Sequence, residues 1–381
     1  MVGIDLTGSE RRASGWASLD GSEADVKLLA SDLELVKETI RVKPHIVSID
    51  SPLSIPFDPG NLSPSIMRTC ERMLRRRGVN VYPCLIPSMR DLTSRGIRLA
   101  AQLRSQGLPV IESYPGAAQD ILGIPRKRAS LDRLKLGLSR FGFTGEWLTR
   151  VVSHDELDAI TSALVGIFYW SGHFEALGSE SEGYLIVPEI ASASIAWRER
   201  LVVGFSGPIA AGKTTAALAL KDERYAYERF SAVLSEILRG RGVAVTRDAL
   251  QTLGNEIYLG GKQRWLCEQL IARLPKDRAV VIDGLRHPED HACLTETFGP
   301  AFLHIHINAP LPLREERYKR HGYSAEDFAK ALGHPSEANV ERLEALADAR
   351  VGNASSIPDL HTAVNRILSG LTARRRASTC L

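Results

Sequence analysis

Eight residues in the second half of the chain, Gly207-Pro208-Ile209-Ala210-Ala211-Gly212-Lys213-Thr214, restrict what can surround them. They follow an apolar run, Leu201–Phe205, that reads as a strand, and precede a helix-forming run, Thr215–Leu220. This is the pattern GxxxxGK[ST] in its strand–loop–helix setting. The glycines let successive backbone N–H groups converge on an anion, and the helix N-terminus adds positive potential. Lys213 has the reach for the outer phosphates of a polyphosphate, and Thr214 offers a hydroxyl to magnesium. Val280-Val281-Ile282-Asp283 is an apolar strand ending in an acid. Asp283 is placed to hold the same Mg²⁺, directly or through water. The expected ligands are therefore ATP and Mg²⁺, with contacts from Gly207, Pro208, Ala210, Ala211, Gly212, Lys213, Thr214 and Thr215. No NKxD-like guanine signature follows, which points away from GTP.

Strand-like runs at Val280–Asp283 and Phe302–Ile307 alternate with helical patterns, which predicts a parallel sheet with crossover helices. After Pro310, Arg314, Arg317 and Arg320 recur every third position and share one side of a helix. Such arginines suit a lid that neutralises charge on a transferred phosphoryl group. They suit equally a solvated helix paired with Glu315 and Glu316. Arg286 follows the acidic strand tip and brings a further cation to the same cleft.

The segments GPIAAGKTT, TRDALQTLGNE, VVIDGLRHPED, RYKR and ADARVGN resemble the dephospho-CoA kinase and nucleoside-monophosphate kinase group, over about residues 200–370. The resemblance implies a kinase acting on a nucleotide or nucleotide-like acceptor. Arg247, Gln251, Asn255 and Arg286 would lie near that acceptor, and Asn353 near the adenine pocket. One feature departs from the group. Many of its members carry an acid soon after the second strand, whereas Phe230-Ser231-Ala232-Val233-Leu234 offers none before Glu236.

The first half reads differently. A strand hairpin is expected at Val2–Thr7 and Gly15–Leu19, a helix at Ser31–Val42 and strands at His45–Asp50 and Pro109–Glu112. Further helices are expected at Ile66–Arg77, Leu92–Gln106 and His154–Trp170, the last with Ser153 as N-cap, then a strand at Tyr184–Val187. Between them runs a loop rich in Pro, Gly and Ser that ends at Pro64. The domain boundary falls near 192–199, giving domains of 1–192 and 199–381.

Carboxylates stand at element positions in this half. Asp5 lies mid-strand among apolar residues, where a charge is costly unless paired or metal-bound. Asp50 and Glu112 end strands. Asp155 and Asp158 share a helix face. Together Asp5, Asp50, Asp155 and Asp158 could hold two Mg²⁺ ions for attack of water on a phosphodiester, with Glu112 beside them. Taken singly, Asp50 could cap a turn, Glu112 could pair with an arginine and Asp155 could answer the helix dipole. His154 could assist the water chemistry or be structural, and Arg68 and Glu71 are expected to pair with each other.

The stretches Gly3-Ile4-Asp5, Ile49-Asp50-Ser51-Pro52-Leu53, Arg68 to Glu71, Glu112-Ser113-Tyr114-Pro115 and His154–Ala159 resemble a domain of unknown function, DUF429, whose members are predicted nucleases of RNase H-like fold. The resemblance covers about residues 1–175 and implies a metal-dependent nuclease or phosphodiesterase. The expected architecture is thus α/β: an RNase H-like domain followed by a P-loop domain. A second reading makes the first half a binder of nucleic acid or nucleotide without cleavage, and the second a regulatory ATP switch.

The segment from Arg68 to Arg140 carries 15 Lys/Arg against 5 Asp/Glu, a local balance of 15 − 5 = +10. An excess of that size could neutralise nucleic-acid phosphates, or simply solvate helices. The five cysteines form no CxxC pair, which argues against a disulfide framework or zinc site and fits a reducing cytoplasm. No apolar run is long enough to span a membrane, and the sequence enters a strand at once, so no leader segment is expected.

Overall fold

A computed structural model describes residues 1–57, 65–127, 130–189, 201–220, 225–275 and 278–378. The chain divides into two compact units, Met1–Ile195 and Ala196–Leu381. The linker expected at 192–199 lies outside the described residues, as do Cys380 and most of the loop ending at Pro64.

The first unit is built on a mixed seven-stranded sheet. Its strands are β1 (Val2–Asp5), β2 (Ser14–Asp20), β3 (Glu23–Leu29), β4 (Val47–Asp50), β5 (Val110–Ser113), β6 (Phe174–Ser179) and β7 (Gly183–Pro188), in the order β3-β2-β1-β4-β5-β7-β6. β1, β2 and β3 pair antiparallel, whereas β1, β4, β5 and β7 run parallel. The strand expected to run to Thr7 ends at Asp5, so Asp5 closes β1 rather than lying mid-strand, and the parallel register sets it directly opposite Asp50 at the C-terminal ends of adjacent strands. One helix, His154–Ser171, crosses the sheet with a capping box of Ser153 and Glu156 at its start. It lies so close to β1 that a Cβ on Gly3 would stand 2.0 Å from the Ala159 carbonyl. Any larger residue at position 3 would lift the helix, and with it Asp158, away from Asp5.

Two first-unit strands lie where no element was expected. β3 alternates buried Ala24 and Val26 with exposed residues, a pattern broken at its end by exposed Leu28 beside buried Leu29. β6 (Phe-Glu-Ala-Leu-Gly-Ser) has weak strand propensity and is held by pairing with β7. The helix expected from Leu92 starts earlier, at Pro87, because proline is pre-organised for the first helical position. The helix expected from Ile66 starts at Thr69, with Arg68 at its N-cap.

The second unit carries an all-parallel sheet of β8 (Val202–Ser206), β9 (Tyr225–Arg229), β10 (Ala279–Asp283), β11 (Phe302–Asn308) and β12 (Ala349–Gly352), in the order β12-β11-β8-β10-β9. β9 and β12 close its two edges and were not foreseen as strands. Each is short and mostly half-exposed or exposed, so neither shows the continuous apolar run of a central strand. Buried Val202, Val203, Phe205, Val280, Val281 and Ile282 fill the middle of this sheet. The four described cysteines are free and buried. No described helix is long and apolar enough to cross a membrane.

Candidate functional site

In the second unit β8 ends at Ser206, and the loop Gly207–Gly212 leads straight into the helix Lys213–Ala219. Gly207 has φ 145°, and a Cβ there would meet the Ile307 carbonyl at 2.0 Å, so only glycine lets the loop leave the sheet at this point. Lys213 is buried and donates to the carbonyls of Gly207 at 2.7 Å and Pro208 at 2.8 Å. Burial, with Arg286 nearby, pulls its ammonium down to about 7. The Thr214 hydroxyl donates to Asp283 Oδ2 at 2.7 Å, and the Tyr227 hydroxyl donates to the same oxygen at 2.9 Å. Residues 69 positions apart thus meet beneath the loop. A hydroxyl and a carboxylate are hard oxygen donors of the kind Mg²⁺ takes.

The surrounding cations fall into two groups. Arg314 reaches the Ile209 carbonyl at 3.4 Å, and its buried Nε has no hydrogen-bond partner. Burial lowers its pKa, against the pull of Glu337. Arg317 reaches the Ala211 carbonyl at 3.5 Å and donates to the Asn353 carbonyl at 3.0 Å. Arg286 donates to Glu337 Oε1 at 2.6 Å. Arg314 and Arg317 thus touch the loop directly, and Arg286 reaches it through Glu337. Arg320, expected beside Arg317 in the lid, does neither. It is exposed and pairs with Glu316 on its own helix, because one further helical step turns it to solvent. Asn353 is buried and donates to the Ala211 carbonyl at 2.8 Å, so it braces the loop. Arg247 stacks over the rings of Tyr318 and Tyr323. Gln251 and Asn255 lie on the same helix, Arg247–Leu259.

Glu337 and Tyr227 were not singled out in the sequence. Tyr227 sits on an edge strand with no motif. Glu337 lies on the helix Pro335–Leu346, far along the chain from the loop it touches, and only the fold joins them.

In the first unit Asp5 lines a cavity of about 460 Å³ with Arg12, Lys127, His154 and Asp155. Ligand atoms of Asp5, His154 and Asp158 lie within 4.8 Å of one another. Asp5 Oδ2 is buried with no hydrogen-bond partner. Burial first, then Asp50, Asp158 and Asp155, push the Asp5 carboxyl well above its ordinary range. Burial and Asp158 likewise push Asp50 up to about 7. Lys127 is the counter-charge: its ammonium is 2.8 Å from Asp158 Oδ2 and 3.4 Å from His154 Nδ1. Burial would lower the lysine, but Asp158, with Asp5 and Asp50 behind it, leaves it raised. Gln119 donates to the other oxygen of Asp158 at 2.8 Å. Asp155 stands at the rim, 2.9 Å from His154 Nδ1 and 3.7 Å from Arg12.

Glu112, expected with this cluster, is engaged elsewhere. Arg68 grips both its oxygens, at 2.7 and 2.6 Å, and also donates to Glu71 at 3.0 Å. Glu112 further accepts from the Leu53 N–H at 2.8 Å, so it fixes the turn after β4 rather than facing the cavity. Several residues of the basic segment are engaged inside the unit. Arg95 is buried on Asp32 and Thr7, Arg77 pairs with Glu175, and Arg72, Arg75 and Arg90 donate to backbone carbonyls.

No family model matches this sequence. Over 182 residues, 45% of this chain and 94% of the relative, it is 24% identical to a UPF0200 protein of Halobacterium salinarum, found in two strains. Among solved structures it is similar to a shikimate kinase from Acinetobacter baumannii (15% identity, TM-score 0.34, 47% of this chain and 97% of that one). It is also similar to a dephospho-CoA kinase from Campylobacter jejuni (17% identity, TM-score 0.28, 45% of this chain and 97% of that one). The loop at the end of β8, the five parallel strands and the Thr214–Asp283 contact are the features of this chain that fit a P-loop kinase fold.

Proposed function

We propose that the second unit is an ATP-dependent phosphotransferase acting on a nucleotide or nucleotide-like acceptor. The observation that carries this reading is the 2.7 Å contact of Thr214 with Asp283 under a loop that also buries Lys213. Mg²⁺ held by these two oxygens would neutralise phosphate charge. The backbone N–H groups of the loop and Lys213 would bind the phosphates, Lys213 exchanging its two carbonyl partners for phosphate oxygens. Arg286, Arg314 and Arg317 would position the outer phosphoryl group and answer charge that develops on it. Arg247, Gln251 and Asn255 are the candidate acceptor contacts. The test is transfer of labelled γ-phosphate to a panel of nucleoside monophosphates and CoA precursors. Lys213→Ala should reduce transfer by roughly 10²–10³-fold. ATP consumption that needs no acceptor would favour a regulatory ATPase instead.

For the first unit we propose an RNase H-like, metal-dependent phosphodiester-cleaving site on Asp5, Asp50 and Asp158. The pairing of Asp5 with Asp50 in register and the unpartnered Asp5 oxygen support it. Asp5→Asn should abolish Mg²⁺- or Mn²⁺-dependent cleavage of a labelled oligonucleotide and leave ATP binding unchanged. Cleavage that persists in the variant removes this assignment.

A further inference from the structure

The phosphate loop of the second unit already holds an anion of its own. Glu337 Oε2 accepts from the backbone N–H of Ile209, inside the loop, at 3.0 Å. Its other oxygen accepts from Arg286 at 2.6 Å. The Glu337 side chain is only 11% exposed. One carboxylate therefore joins a main-chain donor of the loop to an arginine of the cleft, the two kinds of donor that a phosphoryl group would use. Lys213 and Arg314 both feel the charge of Glu337. The hydroxyl–carboxylate pair of Thr214 and Asp283 is separate from it.

We infer that Glu337 is an internal competitor for bound polyphosphate. Its carboxylate occupies an outer-phosphate position of the loop, and a nucleoside triphosphate must displace it. This rests on the nucleotide-binding reading of the loop. The Ile209 N–H is a single donor already taken by Glu337, and a phosphoryl oxygen brought to it would stand against the carboxylate at close range, so phosphate binding there and the Glu337–Ile209 contact exclude each other. Glu337 sits in the first turn of the helix Pro335–Leu346, whose Val340 and Leu343 are buried. Release of the carboxylate frees that first turn while the rest of the helix stays packed. The chain thereby couples nucleotide entry to the start of this helix, and the competing charge lowers affinity in the nucleotide-free protein.

The test compares the full chain with Glu337→Gln, which keeps the size of the side chain and removes its charge. Binding of a non-hydrolysable ATP analogue with Mg²⁺, measured by calorimetry, should tighten roughly tenfold in the variant. Binding of AMP, which lacks the outer phosphates, should change less than twofold. Equal or weaker triphosphate binding by the variant overturns the proposal. A wild-type chain that binds no triphosphate, with Lys213→Ala indistinguishable from it, overturns the nucleotide reading itself. Should Glu337→Gln fail to fold, hydrogen exchange of the wild-type chain decides. Amides at the start of the Pro335–Leu346 helix should exchange faster when the analogue is added, and unchanged or slower exchange refutes the competitor.

Discussion

The two units carry charge clusters of opposite sign, each answered by an ion from the chain itself. In the first, the carboxylates of Asp5, Asp50 and Asp158 meet the Lys127 ammonium. In the second, Lys213, Arg286 and Arg314 surround the Glu337 carboxylate. The acidic cluster is assembled from two strand ends and a helix, and its members are costly to ionise side by side. The cationic cradle is one continuous loop plus arginines from later elements. Concentrating like charge in a low-dielectric site costs several kcal/mol unless a counter-ion is present. A site that waits for a charged ligand therefore needs an internal stand-in, and that stand-in becomes the ligand's competitor.

The comparison can be broken most forcefully at a third cluster, the buried Arg68 with Glu112 and Glu71, in which one arginine pairs with both carboxylates. Arg68→Met should destabilise the first unit by roughly 3–5 kcal/mol in urea denaturation, because it leaves two buried carboxylates without a cation. If it costs no more than Lys127→Met, the distinction between a closed structural cluster and an open site is lost.

The next effect concerns buried histidines of the second unit. Ser206, the residue before the loop, bonds His306 Nδ1 at 2.9 Å and His304 Nε2 at 2.7 Å. Burial pulls His306 down to about 4. The folded protein therefore binds fewer protons here than the unfolded chain. Stability is intact above the ordinary histidine pKa, falls as pH drops below it, and levels off below about 4. The loss from His306 should be on the order of 1–3 kcal/mol, reduced by the nearby Glu344 carboxylate. His306→Asn should flatten part of that acid limb in thermal melts taken from pH 7 to pH 4. A melt series of unaltered slope would show that the histidine carries no such linkage.

Within the acidic cluster, Lys127→Met removes the internal cation. Mn²⁺ binding, followed by electron paramagnetic resonance, should strengthen about tenfold, since the ion no longer competes with a bound charge. Weaker binding would mean that Lys127 supports the site rather than filling it. The smallest contrast lies along one helix of the second unit. Arg320→Ala should change phosphotransfer by less than about twofold, as befits an exposed pair of modest strength. Arg317→Ala, which loses its contacts to Ala211 and Asn353, should reduce it by roughly tenfold or more. Equal effects from both would return Arg320 to the lid.

Legibility differed between the sites for a physical reason. The loop Gly207–Thr214 is local: strand, turn chemistry and helix start lie within one stretch of chain, so the residues that act together are written together. Asp283 was readable as the polar end of an apolar strand. Glu112 misled because strand-end position does not tell which side of the strand a carboxylate faces, or that Arg68 would reach it first. Arg320 misled because spacing by three drifts around a helix, and the drift took it to solvent.

By itself the amino-acid order determined the glycine-rich loop Gly207–Thr214, the alternation of strands and helices around it, and the presence of an acid in the apolar first strand, because each depends on neighbours within a few residues. Only the tertiary structure decided which ion answers each cluster. Lys127 and Glu337 come from segments without a distinguishing pattern, and their roles arise from distances of about 3 Å between atoms far apart along the chain. Coulombic pairing in a buried site depends on those distances, which local sequence does not encode.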